Sequence, residues 1–325
     1  MNQARPCTWM RRGFAMALLS LASLAGTGAA RADDVLRLVV PFAAGSYTDN
    51  VARLVAPGLA RHLGKNVIVE NRAGANGIIG ADFVARAKPD GLTLLVGGAS
   101  VNTINPGVYK KLPYDPQRDL LPVARIGILP FMLLVNMDLP VRSVAELVQY
   151  AKAHPEELSY GTPNAATLVG TETFKRGAGI NLLSIPYKSS PQAMTDLVGN
   201  QIQVLMADFA TAMPQVQAGK ARLLAVTMKD RSALLPDTPP IGDTVAGFDL
   251  SAWTGLLAPG KTPPEVVQPV YDALLASLAD PALQAKFKNI GFDIDPMGPA
   301  EFGPYIHDEI DKWKKLAREA GIEPQ

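Results

Sequence analysis

The 325-residue chain contains one cysteine, Cys7, and three histidines, His62, His154 and His307. A single cysteine cannot close an intrachain disulfide, so burial of apolar surface must hold the fold. The histidines fall on three different predicted elements, and no Cys/His spacing of the zinc type accompanies them. A nucleophile elbow, a phosphate-binding Gly–Lys loop and a dinucleotide fingerprint are all missing, which leaves an enzyme as a remote alternative. Positive charge is not in surplus either: 31 Lys and Arg stand against 30 Asp and Glu. Without a basic footprint, nucleic acid is excluded as a partner. The apolar run Phe14–Ala25 is too short to span a bilayer comfortably, and no later run reaches span length. No metal and no cofactor is expected.

The N-terminus reads as a cleavable export signal over residues 1–32. Arg11 and Arg12 form its positive end, Phe14–Ala25 its apolar core, and Ala30-Arg31-Ala32 the small-x-small pattern ahead of Asp33. Arg11-Arg12-Gly13-Phe14 fits the core of a twin-arginine signal. Met10 replaces the usual Ser or Thr, however, and no Lys follows Phe14, so the general secretory route is favoured. Cleavage after about Ala32 removes Cys7, and no cysteine stands at the cut to carry a lipid. It also removes four arginines and no acid, which leaves 293 residues with a net charge of −3. A chain of that length buries a sizeable core and usually forms two domains.

Short apolar runs alternate with amphipathic stretches over the rest of the chain. Strands are predicted at Leu36–Val40, Val67–Val69, Leu92–Val96, Phe131–Val135, Leu158–Tyr160, Leu182–Pro186, Ile202–Met206 and Arg222–Thr227. Between them, Val51, Leu54, Val55, Leu59 and Leu63 recur at helical spacing, with Gly64 as the stop and Pro57 as a kink. Ser143-Val144-Ala145-Glu146 and Thr262-Pro263-Pro264-Glu265 are helix-opening boxes. Alternation of this kind implies an α/β fold with mostly parallel sheets. The last 70 or so residues read as mainly helical, and the final helix carries Phe302, Ile306, Ile310, Trp313 and Leu316 on one face.

Chemistry concentrates in the loop Pro41–Asp49, between the first predicted strand and the first predicted helix. Unpaired N–H groups and the positive end of a helix dipole point the same way there, which suits an anion. A counterpart follows Leu158–Tyr160, where Gly161–Thr167 leads into another helix. In open α/β sheets ligands sit beyond the carboxyl ends of strands, so two such loops facing each other define a cleft. Asp49 reads either as a helix-terminal charge or as part of that site. Asp208, at a strand end, can accept from a ligand hydroxyl or amino group, or from loop N–H groups that shape the cleft. Tyr187 is divided between a cleft hydrogen bond and packing under Lys188. Trp253, in Ala252-Trp253-Thr254-Gly255, reads as a packing residue, with contact to a ligand as the alternative.

Collinear motifs run through the whole mature chain. They include Val39-Val40-Pro41-Phe42 with Gly45 and Thr48-Asp49, Val69-Glu70-Asn71-Arg72-Ala73-Gly74-Ala75 and Lys88-Pro89-Asp90-Gly91-Leu92. Ile104-Asn105-Pro106, Tyr109–Asp115, Ser159-Tyr160-Gly161, Ile185–Lys188, Gly219-Lys220 and Ala258–Glu265 follow in order. In these the chain resembles the Bug-type extracytoplasmic solute receptors of tripartite tricarboxylate transporters. The resemblance implies a periplasmic, monomeric two-domain clamshell of the type II-like periplasmic-binding-protein kind. Each domain would be a mostly parallel sheet flanked by helices, joined by two crossing hinge strands near Arg125–Phe131 and Leu250–Leu256. Residues 33–128 and 251–325 would form one domain and 129–250 the other. It further implies capture of a small organic carboxylate for a membrane permease; a receptor that docks on a membrane sensor would use the same fold.

Carried over by position, the ligand-binding residues are Phe42, Ala43, Ala44, Gly45, Ser46, Tyr47, Thr48 and Asp49 from the first loop, with Ser100 and Asn102 after the third strand. The second domain would add Thr162, Asn164, Thr167, Tyr187, Asp208 and Phe209. Two departures stand out. The family usually has prolines and glycines where this chain has Ala43, Ala44, Ser46 and Tyr47, so Tyr47 brings an aromatic ring to the cleft. The second loop is shorter and less polar than usual. With Tyr47 and Phe209 nearby, it favours a mono- or dicarboxylate of low polarity, an aromatic one included, over citrate or an amino acid.

Overall fold

The computed structural model describes Met1 and residues 35–187, 189–232 and 234–324. By its contacts the chain divides into Met1–Asp34 and Val35–Gln325, and the fold belongs to the second unit. The export signal expected over residues 1–32 lies, Met1 apart, outside the described residues. Among the described residues no helix is long and apolar enough to cross a membrane.

Three parallel strands open the unit: β1 (Val35–Val40), β2 (Asn66–Asn71) and β3 (Thr93–Gly98), with β1 in the middle. β4 (Leu120–Asn136) is much longer. A second parallel set follows, β5 (Ser159–Thr162) between β6 (Leu183–Pro186) and β7 (Val204–Asp208), then β8 (Ala221–Val226), β9 (Ser251–Pro259) and β10 (Asp293–Met297). The strand order is β2-β1-β3-β9-β4-β7-β5-β6, with β8 and β10 also paired to β4. Leu120–Pro130 of β4 run antiparallel to β9, and Arg125–Ile128 meet β10 on the other side. Phe131–Asn136 then pair with β7 and β8 instead. One strand therefore belongs to two sheets, and each sheet is parallel at its outer edge and antiparallel about β4.

The burial of the strands follows from this position. β1, β3 and β4 are covered on both faces and are nearly continuously buried, whereas the edge strands β2 and β6 stay largely accessible. β4 absorbs Pro122 where its pairing with β9 shifts register, between Pro122 and Ala124, and Pro130 where its pairing with β9 ends and its pairing with β7 begins. The end of the chain is mainly helical as expected, and β10 is a strand the sequence did not announce. Its Asp293-Ile294-Asp295-Pro296-Met297 is poor in strand formers, and an edge partner tolerates the proline.

The helix Tyr47–Leu63 begins four residues before its apolar periodicity because Ser46 caps it, accepting from Asp49 N. Gly64 ends it at φ 63°. Pro57 lies on its exposed side, where water can satisfy the carbonyl that loses a partner. The opposite side packs on the helix Pro264–Leu278. A Cβ on Gly58 would lie 2.4 Å from Ser277 Oγ and 2.5 Å from Ser277 Cβ. The last helix, Pro299–Glu319, buries Phe302, Ile306, Ile310 and Trp313, with Leu316 half-buried. Its Glu309 is also buried and accepts from Trp313 Nε1 at 3.0 Å. Gly58→Ala should destabilise by about 1–3 kcal/mol despite alanine's better helix propensity, because the two helices must separate. Urea melts should show that loss, and Ser277→Gly in the same chain should recover most of it.

Candidate functional site

The turn after β1 is built around one glycine. Ser46 N donates to Ala43 O at 3.1 Å, closing a four-residue turn whose third residue, Gly45, sits at φ 79°. That conformation is the type II position that favours glycine. The Gly45 amide is not free for a ligand, because it donates to Asp49 Oδ2 at 2.8 Å. Asp49 also accepts from Arg53 Nε and from Asn71 Nδ2, both at 2.9 Å, and Asn71 Nδ2 reaches Phe42 O at 3.0 Å. A carboxylate with a side chain only 2% exposed thereby ties the turn to the first helix and to β2. Burial pushes the Asp49 carboxyl up. The hydrogen bonds from Arg53, Gly45 and Asn71, with the charge of Arg53, outweigh burial and hold it below the usual carboxylate range.

Four strand-to-helix junctions of this kind meet. Asn164 caps the helix Ala165–Ala178, accepting from Thr167 N at 3.0 Å. Asp208 caps the helix Phe209–Gln217, accepting from Thr211 N at 3.0 Å and Thr211 Oγ1 at 3.1 Å. After β3 the chain enters a helical run at Ala99 that carries a π turn over Ser100–Ile104 and continues through Val108. Such π turns are rare and recur at functional sites. The junctions surround a cavity of about 270 Å³. Its floor comes from the crossing strands, Leu129 and Phe131 of β4 with Ala252, Trp253 and Thr254 of β9.

Seven of the residues expected at the site line this cavity: Phe42, Ser46, Tyr47, Thr48, Ser100, Asn164 and Asp208. The remaining nine do not. Ala43 and Ala44 are on the exposed outside of the turn, while Gly45 and Asp49 hold it together. Asn102 is fully buried within the π turn. Thr162 Oγ1 donates to Ile185 O, facing β6, and Thr167 is spent on the Asn164 cap. Tyr187 donates to Asp196 at 2.8 Å, and burial together with that carboxylate pushes its phenol up to about 12. Phe209 packs on the bare backbone of Gly291, where a Cβ would lie 2.0 Å from the ring.

Other lining residues escaped the sequence reading. Ala99, Ala165 and Ala166 are there for their backbone, at helix starts where N–H groups have no intrahelical partner. Asn76 also lines the cavity, at φ 52°, with its carbonyl accepting from Asn105 Nδ2 at 3.1 Å. Its place in Ala73-Gly74-Ala75-Asn76-Gly77 was the available signal, since asparagine tolerates the left-handed region. Trp253 packs edge-on to Phe302 at 5.1 Å, and its Nε1 is buried without a protein partner. The Tyr47 hydroxyl is likewise buried and unpaired. Among the described residues, no Lys, Arg or His lines the cavity, and none of the three histidines is near it in the lining.

Asp49→Ala should cost about 1–3 kcal/mol, since it removes the buried carboxylate that joins the exposed Gly45 amide to the half-buried Asn71 side chain and Arg53. Because the folded-state carboxyl is depressed, its contribution is present above the unfolded value of about 3.9 and lost as pH falls through the folded one. The gap in urea midpoint between wild type and Asp49→Ala should therefore hold steady above about pH 5 and shrink below about pH 4.

Known proteins share this fold. The model of the tripartite tricarboxylate transporter family receptor matches residues 51–322. A UPF0065 protein of Bordetella bronchiseptica is 37% identical over 292 residues, which cover 89% of this chain and 86% of that protein. Rpa4515 of R. palustris, solved with adipate, superposes with a TM-score of 0.79 at 34% identity, covering 89% of this chain and 98% of its own. The periplasmic binding protein BugD superposes with a TM-score of 0.76, also at 34% identity, covering 90% of this chain and 99% of its own. The fold is the α/β periplasmic-binding-protein clamshell expected from the sequence, and the chain belongs to the family of tripartite tricarboxylate transporter receptors, Bug proteins among them.

Proposed function

We propose that the protein is a periplasmic receptor that captures a small organic carboxylate between its lobes and delivers it to a tripartite tricarboxylate-type membrane permease. The observation that carries this reading is a cavity ringed by helix starts at Tyr47, Ala99 and Ala165 with no cationic side chain in its lining among the described residues. First-turn N–H groups and aligned helix dipoles make such a place favourable to an anion. Each charge-assisted hydrogen bond to a carboxylate is worth about 1.5–3 kcal/mol net, so a few of them sustain micromolar binding. The small volume suits a ligand of a few carbons. The adipate in Rpa4515 and the family's description support the same class of ligand.

The proposed mechanism is capture followed by closure. Residues 33–128 with 251–325 would form one lobe and 129–250 the other, moving about β4 near Arg125–Phe131 and β9 near Leu250–Leu256. A ligand that bridges both lobes favours the closed form by its differential affinity. The permease then reads the closed face.

The purified protein, unfolded and refolded to strip carried-over ligand, should be screened by thermal shift against aliphatic and aromatic mono-, di- and tricarboxylates. A true ligand at about 100 times its dissociation constant adds about 2.7 kcal/mol of stability, a clear upward shift of the midpoint. A panel without any shift counts against the carboxylate-receptor reading.

A further inference from the structure

β7 and β10 lie end to end on the same edge of β4. Asp208, the last residue of β7, is opposite Phe131, and Asp293, the first of β10, is opposite Ile128. Both strands run antiparallel to β4, so the chain leaving β7 and the chain entering β10 meet beside Leu129 and Pro130. The other edge of β4 is bridged there by backbone hydrogen bonds. Thr227 N donates to Phe131 O at 3.0 Å and Leu250 N to Thr227 O at 2.8 Å. On the β7–β10 edge the Phe209 ring fills the junction instead. It lies on the backbone of Gly291, so close that a Cβ at that position would overlap the ring.

Ending a helix does not by itself explain this glycine. Gly64, Gly179, Gly219 and Gly321 also follow helix ends at positive φ, yet a Cβ on any of them would meet nothing within 4 Å. Gly291, at φ 71°, is both a cap and a seat. Each side of the contact is stiff. Gly291 N donates to Lys288 O and Phe292 N to Phe287 O, both at 3.1 Å, which fixes the end of the helix Pro281–Asn289. Phe292 and Asp293 press on Gly127 of β4, where a Cβ would strike the Phe292 ring and Asp293 O. Phe209 opens the helix that Asp208 caps and packs on the buried cluster containing Met132 and Ala212. Ser232 Oγ donates to Asp293 Oδ2 at 2.8 Å, a second tie across the junction.

Each side of the seat carries a wall of the cavity. Asp208 lines the cavity and immediately precedes Phe209. Tyr47 lines it from the other side and packs on Phe292, the neighbour of Gly291, with ring centres 5.8 Å apart. These walls cannot approach without pressing the Phe209 ring on the Gly291 backbone, and packed interiors resist compression. We infer that Phe209 on Gly291 is a stop that sets how far the two lobes close, and with it the width of the cavity. The inference rests on the capture-and-closure mechanism proposed above and names the contact that limits it. Phe209 is thus a positioning residue for capture, acting through the angle about Leu129–Pro130 and not by touching the ligand.

The test measures the distance between spin labels on exposed positions of the two lobes, Arg61→Cys and Lys152→Cys, in a chain carrying Cys7→Ser. Distances are read with and without adipate, malate or benzoate in excess, and affinities by calorimetry. In wild type at least one probe should shorten the distance. Gly291→Ala should lengthen the bound-state distance and weaken affinity about tenfold or more, because affinity falls with the fraction of closed form. In a Phe209→Ala background the same alanine should change neither, since no ring is left to strike. Alanine at φ 71° is strained wherever the ring is, so its lowered melting midpoint should appear in both backgrounds and separates the cap from the stop. Phe209→Ala alone should shorten the bound-state distance and Phe209→Trp lengthen it, and this pair decides the matter should Gly291→Ala fail to fold. Bound-state distances indifferent to both changes at Phe209, or a Gly291→Ala effect as large without the ring as with it, would overturn the stop while closure stands. A wild-type distance that no probe shortens would overturn the closure reading and the stop together.

Discussion

The structure depends on β4 being shared. In a sheet interior every backbone N–H and C=O must find a partner, and β4 finds its partners in two different sheets along its length. Up to Pro130 it lies between β9 and β10, and from Phe131 onward between β7 and β8. The strand is therefore one continuous backbone at the place where the two parallel sets come together. β9 runs alongside it and ends its pairing at Ser251 opposite Pro130. Because these two strands cross the boundary, their side chains there, Leu129, Phe131 and Trp253, form the floor of the cavity. The strands that join the two sheets thus also supply the floor of the cavity.

The walls of the cavity follow from a second constraint. Each parallel strand has to be followed by a crossover, and here the helix starts at once after the strand or after a turn of a few residues. The unpaired amides of those first turns are directed to the carboxyl ends of the strands, which is where the cavity lies. An anion can be held in this way without a buried arginine, whose desolvation would be costly in the empty protein. Asp49 serves this arrangement indirectly. It is spent entirely on the turn, on Gly45, Asn71 and Arg53, so that Ser46, Tyr47 and Thr48 face the cavity.

Much of the architecture was legible from periodicity and punctuation. The apolar runs at Leu36–Val40 and Arg222–Thr227 appear as strands within a residue or two of the expected limits, and Gly64 and Ser143 mark the helix ends as expected. β10 was not legible, since its aspartates and proline carry no strand signal without the neighbour that accepts them. At the site, proximity in sequence was a poor guide to direction. Thr162, Thr167, Tyr187 and Phe209 all lie within or just beyond strand–helix junctions, yet their side chains turn to β6, a cap, Asp196 and Gly291.

The sequence by itself determined the kind of molecule: the alternation of strand and helix, the glycine-dependent turn at Gly45, the helix starts that attract an anion, and membership in a receptor family. Those features are local, set by backbone preference and by side-chain patterns a few residues long. Only the tertiary structure decided which residues share the cavity. Tyr47 and Asp208 are 161 positions apart in the chain, and Trp253 is farther still. Their meeting depends on how β4 and β9 carry one sheet past the other, a long-range consequence of burial and backbone pairing that no short stretch of sequence encodes.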